Sequence, residues 1–401
     1  MTLSRRWILR GLGAGAGSLA LGCTSPDDDD SSGGDDDDSS GGDDDDSVGT
    51  GPFAGGEYLG LAALGPDPTR TLDETYGDGL DGRRYVDLSG LTEDALLLGN
   101  EEFYVRTRES DLLVTADWTV SIQGLVAAPA SLELDTIQDM ATDQGTHLME
   151  CSGNGAAGRF GLLSAARWTG VSLADVLDQV ELLGSATRVK VSGFDEYSGT
   201  SDFSTPGASW IFTLEQVAQT GMFLATGMNG AELPADHGFP VRLLVPGWFG
   251  CTCIKWVDSI ELVDDDEPAT SQMMEFAVRT HQDGIPQLAR EYAPADIQQA
   301  AMPIRVERWR TADGALLYRI VGLLWGGSQT TDRLTIDWGE GPVPVDTYEH
   351  LTNATWTLWE HAFAPPGPGT YTIEMGVDDP AIPTRRLDSG WYLRDVVIDT
   401  I

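Results

Sequence analysis

Met149-Glu150-Cys151-Ser152-Gly153-Asn154-Gly155 is the stretch on which the reading of this chain turns. A cysteine that enters a glycine-rich turn straight after an apolar run is held by backbone geometry and left partly exposed. Three roles fit it. It is a buried free thiol, a nucleophile served by a distant histidine, with His237 the candidate, or a thiolate ligand to a soft metal centre. Gly153 to Gly158 also carries dinucleotide-loop spacing. No strand–loop–helix unit surrounds it, and Arg159-Phe160-Gly161 would interrupt the helix, so that role is set aside.

The flanking sequence reads as mixed α+β. Leu112 to Val126 is expected as strand–turn–strand, with Trp118-Thr119-Val120-Ser121-Ile122 alternating and Gly124 breaking the run. Ser172 is a helix N-cap ahead of Leu173, Val176, Leu177 and Val180 on one face. Val189-Lys190-Val191 is a short strand. Val241 to Val245 and Ile254 to Val263 are strands on either side of the Pro246-Gly247 turn. From Pro52 to Leu98 the chain is Gly- and Asp-rich, and loops wrapping a core are expected. Beyond about Ala300, short alternating runs such as Leu317-Tyr318-Arg319-Ile320-Val321 and Tyr371-Thr372-Ile373-Glu374-Met375 are separated by turn residues, the pattern of a β-sandwich.

The other end of the chain reads as an address. Ser4-Arg5-Arg6-Trp7-Ile8-Leu9-Arg10, a weak apolar stretch from Gly11 to Gly22 and then Cys23 look like a twin-arginine export signal with a lipoprotein processing site. About 12 apolar residues cannot span a bilayer, where ~20 are needed. Residues 27–46 are three blocks of four aspartates with Ser-Ser-Gly-Gly spacers, which cannot fold and should stay extended by self-repulsion. The expected order is signal (1–23), tether (24–52), α+β domain (53–298) and β-sandwich (299–401), with a lipid anchor on Cys23 and a periplasmic or cell-surface location.

Charge narrows the partners. The chain has 64 acidic against 24 basic residues, a net of −40. Residues 1–50, with three Arg and twelve Asp, carry −9 of that, which leaves −31 on the rest. Such a surface repels phosphate backbones and excludes nucleic-acid binding, while it steers basic proteins in. Of the 24 basic residues only Lys190 and Lys255 are lysines. Four cysteines (Cys23, Cys151, Cys251, Cys253) make no disulfide framework. There is no Cys-x-x-Cys-His for covalent haem, and the five histidines stand singly with no His-Glu-x-x-His.

Cys151-Ser152-Gly153-Asn154 resembles the molybdenum-ligating loop of the sulfite oxidase family of molybdopterin enzymes. Ala166-Arg167-Trp168-Thr169-Gly170-Val171-Ser172-Leu173 is similar to that family's Trp-Gly-Val-x-Leu helix entry. The densest likeness is Met228-Asn229-Gly230, Leu233-Pro234, Asp236-His237-Gly238-Phe239-Pro240-Val241-Arg242-Leu243, Val245-Pro246-Gly247-Trp248 and Lys255-Trp256. The resemblance implies a molybdopterin-binding domain of mixed sheets and helices, followed by an immunoglobulin-like β-sandwich of the kind that forms homodimers. It implies molybdenum held by Cys151 and a pterin held by Tyr104, Val105, Arg106, Thr107, Arg108, Asp195, His237, Arg242, Cys253, Ile254 and Lys255. Arg106 and Arg394 are the implied substrate ligands, and Trp168 the implied shaper of the pocket. Two positions depart from the family pattern. Paired arginines after the Cys-x-Gly-Asn motif are here Gly155 and Ala156, with Arg159 a substitute only if the loop bends back. An active-site tyrosine is Phe276. Cys251 and Cys253, too strained to pair across one residue, read as buried thiols.

The activity expected is oxygen-atom transfer to or from a small sulfur compound or oxyanion, with electrons passed to an external one-electron carrier such as a basic cytochrome c. Two other classes stand beside it: a non-catalytic surface or adhesion module on a relic molybdopterin fold, and a Cys151–His237 hydrolase.

Overall fold

The computed structural model describes residues 51–399 apart from Phe203, and from residue 51 onward they form one compact unit. The signal, the lipidated cysteine and the aspartate tether expected at the N-terminus lie outside the described residues.

Four five-stranded sheets carry the fold. One runs Ala130–Glu133, Thr119–Gly124, Val257–Val263, Arg188–Gly193, Ser209–Thr213. Its pairings are antiparallel except between Val257–Val263 and Thr119–Gly124. In Thr119–Gly124 the alternation is literal: Val120 and Ile122 are buried while Thr119 and Gln123 face outward. The expected strand ahead of it is a turn, and Trp118 instead donates its indole N–H to Val257 O at 2.8 Å. A second sheet holds Ala231–Glu232, Phe223–Met228, Leu163–Ser172 and Thr142–Glu150, with Arg242–Leu244 also pairing Phe223–Met228. Leu163–Ser172 has neighbours on both sides and is buried along most of its length. The helix after it is shorter than its apolar spacing suggests, Leu173–Leu177, with Ser172 Oγ accepting from Ala174 N as N-cap.

The two strands expected around Pro246-Gly247 exist but never pair as a hairpin. Arg242–Leu244 belongs to the second sheet and Val257–Val263 to the first. The segment between them therefore bridges two sheets, tied by Leu243 N–H to Ile254 O at 2.7 Å and Val257 N–H to Val241 O at 2.8 Å. That bridge forms one wall of the site.

The remaining sheets are antiparallel and lie mostly in the C-terminal third. One is built on Ala300–Arg310, Leu316–Trp325 and Thr357–Phe363, the other on Leu334–Asp337, Gly369–Val377 and Arg394–Ile398. Trp325, Trp356, Trp359, Phe363 and Tyr318 are fully buried there. Gly322 is required by close approach, since a Cβ on it would lie 2.1 Å from the Trp359 ring. The expectation of loops from Pro52 to Leu98 needs correcting at its start. Glu57–Leu61 pairs with Ala300–Arg310, and Ala63–Gly65 with Arg394–Ile398, so this segment supplies an edge strand to each C-terminal sheet. Its alternation is weak because edge strands face solvent on one side, and a bulge at Gly60 breaks the register. Among the described residues no helix is long and apolar enough to cross a membrane.

Candidate active site

Thr142–Glu150 runs from an exposed start into a fully buried end, and Cys151 follows immediately. Its N–H donates to Leu162 O at 3.0 Å, and Asn154 N–H returns to Cys151 O at 2.9 Å, which folds the loop into a turn. Asn154 is buried completely and its Oδ1 accepts from Leu162 N at 3.0 Å, so the side chain fixes the far side of the turn. The Cys151 thiol is 5 % exposed. It lies in the floor of a cleft whose empty space, including the part open to solvent, is about 900 Å³.

The cleft gathers most of the residues singled out from the sequence. Tyr104, Val105, Arg106, Thr107, Asp195, His237, Arg242, Cys253, Ile254 and Lys255 line it together with Cys151. Arg242 is buried, donates from Nη1 to His237 O at 2.9 Å and from Nη2 to Cys253 O at 3.4 Å, and keeps its Nε without a partner. Lys255 Nζ donates to the carbonyls of Asp236, at 2.9 Å, and Thr107, and lies 4.5 Å from the centre of the Trp256 ring. Gly238, at φ +110°, brings the two stems together, because a Cβ there would lie 3.0 Å from Arg242 Cβ and 3.1 Å from Lys255 Cβ. Among the described residues neither cation has a carboxylate within ion-pair distance.

Two neighbouring cations, Arg242 buried and Lys255 half-buried, with no carboxylate in ion-pair contact among the described residues, are costly, and their acidities shift accordingly. Burial, then the neighbouring Arg242 charge, draws Lys255 down to about 7. Burial also lowers Arg242. His237 is pushed down to about 3 by burial, then by Arg242 and Lys255, so the ring is neutral. Its Nε2 faces Asn100 O at 2.8 Å, which makes Nε2 the donor and leaves Nδ1 as an acceptor. The wall therefore offers an unpaired guanidinium, an ammonium and a neutral imidazole. That set fits an anionic, hydrogen-bonding ligand such as a pterin phosphate. A lysine with a depressed pKa has a sign to test. From about 7 to 10.5 the unfolded chain holds the proton that folded Lys255 has lost, so stability rises with pH across that window. Below it, the penalty of charging the buried amine is fully present. Urea midpoints of cofactor-free protein are expected to climb more steeply from pH 7 to 10 for the wild type than for Lys255→Met. Parallel curves would contradict the assignment.

Three singled-out residues stand elsewhere. Arg108 leaves the cleft for Asp236, Nε to Oδ2 at 2.9 Å. Trp168 is wholly buried behind the wall, under the Arg242 guanidinium at 5.5 Å, with its indole N–H on His147 O at 3.3 Å. Arg394 is buried, donates to Gly65 O at 2.9 Å, and lies 5.8 Å from the centre of the Phe160 ring. Arg159, at φ +51°, approaches Leu64 O and Asp67 rather than the cleft. His237 makes no hydrogen bond to Cys151, so the structure does not assemble a thiol–imidazole pair. Cys251 and Cys253 are free and buried, and burial raises both thiols.

The sequence reading passed over the groups behind Cys151. Glu150, fully buried, pairs with Arg386 at 3.1 Å and accepts from Tyr392 Oη at 2.7 Å and Trp325 Nε1 at 3.0 Å. Arg386 also donates to Ser152 O at 2.7 Å, so a C-terminal helix grips both sides of the cysteine. The available signal was Arg385-Arg386, a basic doublet in an Asp-rich chain. Arg83 was missed too: it holds Arg106 O and Ser204 Oγ, and Ser204 in turn accepts from Arg106 Nη1 at 3.1 Å. Among the described residues no three His, Cys, Asp or Glu converge as metal ligands. A metal at Cys151 thus draws one thiolate from protein, and a cofactor must bring the rest.

Residues 107–271 match the oxidoreductase molybdopterin binding domain family. The chain is 28 % identical over 266 residues to mitochondrial sulfite oxidase of Mus musculus, covering 59 % of this chain and 47 % of that one. It is 32 % identical over 202 residues to nitrate reductase [NADPH] of Aspergillus niger, covering 44 % and 22 %. The chain thus spans about half, or less, of the length of these curated relatives. Among solved structures it resembles the sulfane dehydrogenase SoxCD from Paracoccus pantotrophus, with a TM-score of 0.58 and 18 % identity over 77 % of this chain and 78 % of that one, a likeness of fold alone.

Proposed function

Since the chain belongs to the sulfite oxidase family of molybdopterin-dependent oxidoreductases, we propose that it oxidises a small sulfur compound or oxyanion and passes the electrons to a separate one-electron carrier. The observation that carries this reading is the Cys151 thiol in a cleft whose wall holds Arg242 and Lys255, neither in a carboxylate ion pair among the described residues. When bound, the molybdenum–molybdopterin group supplies two-electron redox chemistry and exchange of an oxygen atom with the substrate. The chain's own residues do the rest. Cys151 anchors the metal, and Arg242, Lys255, His237, Asp195 and the 104–107 backbone hold the pterin. Asp195 keeps its own loop closed by accepting from Ala208 N at 2.9 Å. Arg106, half-buried and with its side chain bonded, among the described residues, to Ser204 Oγ, reaches into the cleft as an anion ligand.

We read residues 53–298 as the cofactor domain. Residues 299–401, with their borrowed edge strands, are read as an immunoglobulin-like sandwich suited to a homodimer. The same reading takes the protein to be exported and tethered through Cys23, with a basic cytochrome c as acceptor, steered by a net charge of −40. The relatives named as sulfite oxidase and nitrate reductase favour catalysis over the relic-module alternative. Steady-state assays of sulfite, other sulfur oxyanions and neutral sulfoxides, with an artificial acceptor or donor, test the substrate class. Turnover of a sulfur anion is expected, slowed at high salt when basic cytochrome c replaces the artificial acceptor. Turnover of sulfoxides alone would contradict the anion.

A further inference from the structure

The loop that carries Cys151 reaches the surface. Gly153 is exposed, and its N–H donates to the Cys151 sulfur at 3.4 Å. One residue on, Asn154 O accepts the indole N–H of Trp391 at 3.0 Å. The route from the sulfur to the indole thus crosses the Gly153–Asn154 peptide and two hydrogen bonds, with no gap. Arg386 makes a second connection: it donates to Ser152 O at 2.7 Å, and its guanidinium carbon lies 5.1 Å from the centre of the Trp391 ring. Held on two sides, Trp391 is still 46 % exposed, and among the described residues it is the one exposed tryptophan. Two apolar side chains near it are exposed as well. Leu393 belongs to the same turn, and Val278 precedes Arg279, whose carbonyl Arg386 also holds.

An indole left in water but fixed in place is the kind of anchor that protein partners bury. Electron transfer between proteins falls steeply with distance, and bonds and hydrogen bonds carry it better than gaps do. The Trp391 ring is the solvent end of a bonded route from the Cys151 sulfur. The exposed charges around these positions, Asp388 and Asp395 against Arg279 and Arg385, cancel. A basic partner would therefore be drawn by the net charge of −40 on the whole chain and seated on apolar surface. We propose that electrons leave through Trp391, whose ring, with Leu393 and Val278, is the docking face for a basic haem protein. Each ferric haem takes one electron and becomes ferrous. Two encounters then discharge the pair that one substrate delivers, and no bond or proton changes at the indole. The docking face rests on the functional reading above for the source of its electrons.

The test mixes molybdenum-loaded full-length protein, reduced with sulfite, against ferric basic cytochrome c in a stopped-flow cell. The dependence on cytochrome concentration separates docking, read as the half-saturating concentration, from transfer, read as the limiting rate. Both are taken relative to reduction of ferricyanide by the same sample, and sedimentation follows the oligomeric state. Trp391→Ala is expected to raise the half-saturating concentration about tenfold or more, the loss of an aromatic anchor, and to lower the limiting rate. Trp391→Phe keeps an apolar ring on the surface and loses the bond to Asn154 O. It should leave half-saturation near the wild-type value while the limiting rate falls. Wild type and Trp391→Ala with equal constants would overturn the exit. Trp391→Ala that changes oligomeric state with haem reduction unmoved would give the face to a second copy of the chain, and overturns it too. Loaded wild type that reduces neither acceptor contradicts the functional reading itself, whereas ferricyanide reduction without any effect at Trp391 contradicts the docking face alone.

Discussion

Cys151→Ser is expected to lower turnover by ~10³-fold or more, about 4 kcal/mol of barrier, without unfolding the protein. The substitution keeps the volume and the buried turn, since the bonds to Leu162 O and from Asn154 N are made by backbone. What goes is the sulfur that the turn sets in the cleft, while Cys251 and Cys253 beside it are buried thiols that burial pushes toward the neutral form. Serine is a harder and much weaker ligand at neutral pH. Melting curves should superimpose while activity disappears. Variant and wild type with equal rates would show that the sulfur does not touch the metal.

The second large effect is on stability. Arg386→Met is expected to cost about 3–5 kcal/mol, because it strands a carboxylate with no exposed surface. Glu150 would keep its bonds from Tyr392 and Trp325, yet the charge would lack a counter-ion. The Ser152 carbonyl beside the cysteine would lose its donor as well. Pairing the change with Glu150→Gln should restore much of the loss, since a neutral amide needs no counter-charge. Urea unfolding of the two single variants and the double reads this directly. Additive losses would show that the pair is not coupled.

What the sequence disclosed and what it hid follow from the range of the interactions. The Cys151 loop and the 228–256 blocks were legible because their shape is written in adjacent residues: glycines at special φ, a cysteine after a strand, prolines at turns. Hence most of the residues that line the cleft were named from the string alone. The strands at Glu57–Leu61 and Ala63–Gly65 were not, since their partners lie more than two hundred residues away and an edge strand carries little alternation. Which C-terminal arginine turns inward was also beyond local reading. Arg394 opens a strand whose residues alternate buried and exposed, and its head is spent on Gly65 O, whereas Arg386 on a four-residue helix reaches the cysteine loop.

The account stands on the Cys151 sulfur as the metal's protein ligand, and elemental analysis of protein purified from a molybdate-fed host tests that most directly, with Cys151→Ser beside it. About one molybdenum per folded chain is predicted, with pterin fluorescence on release and a metal spectrum altered in the variant. Folded, exported protein that contains neither molybdenum nor pterin would contradict the account.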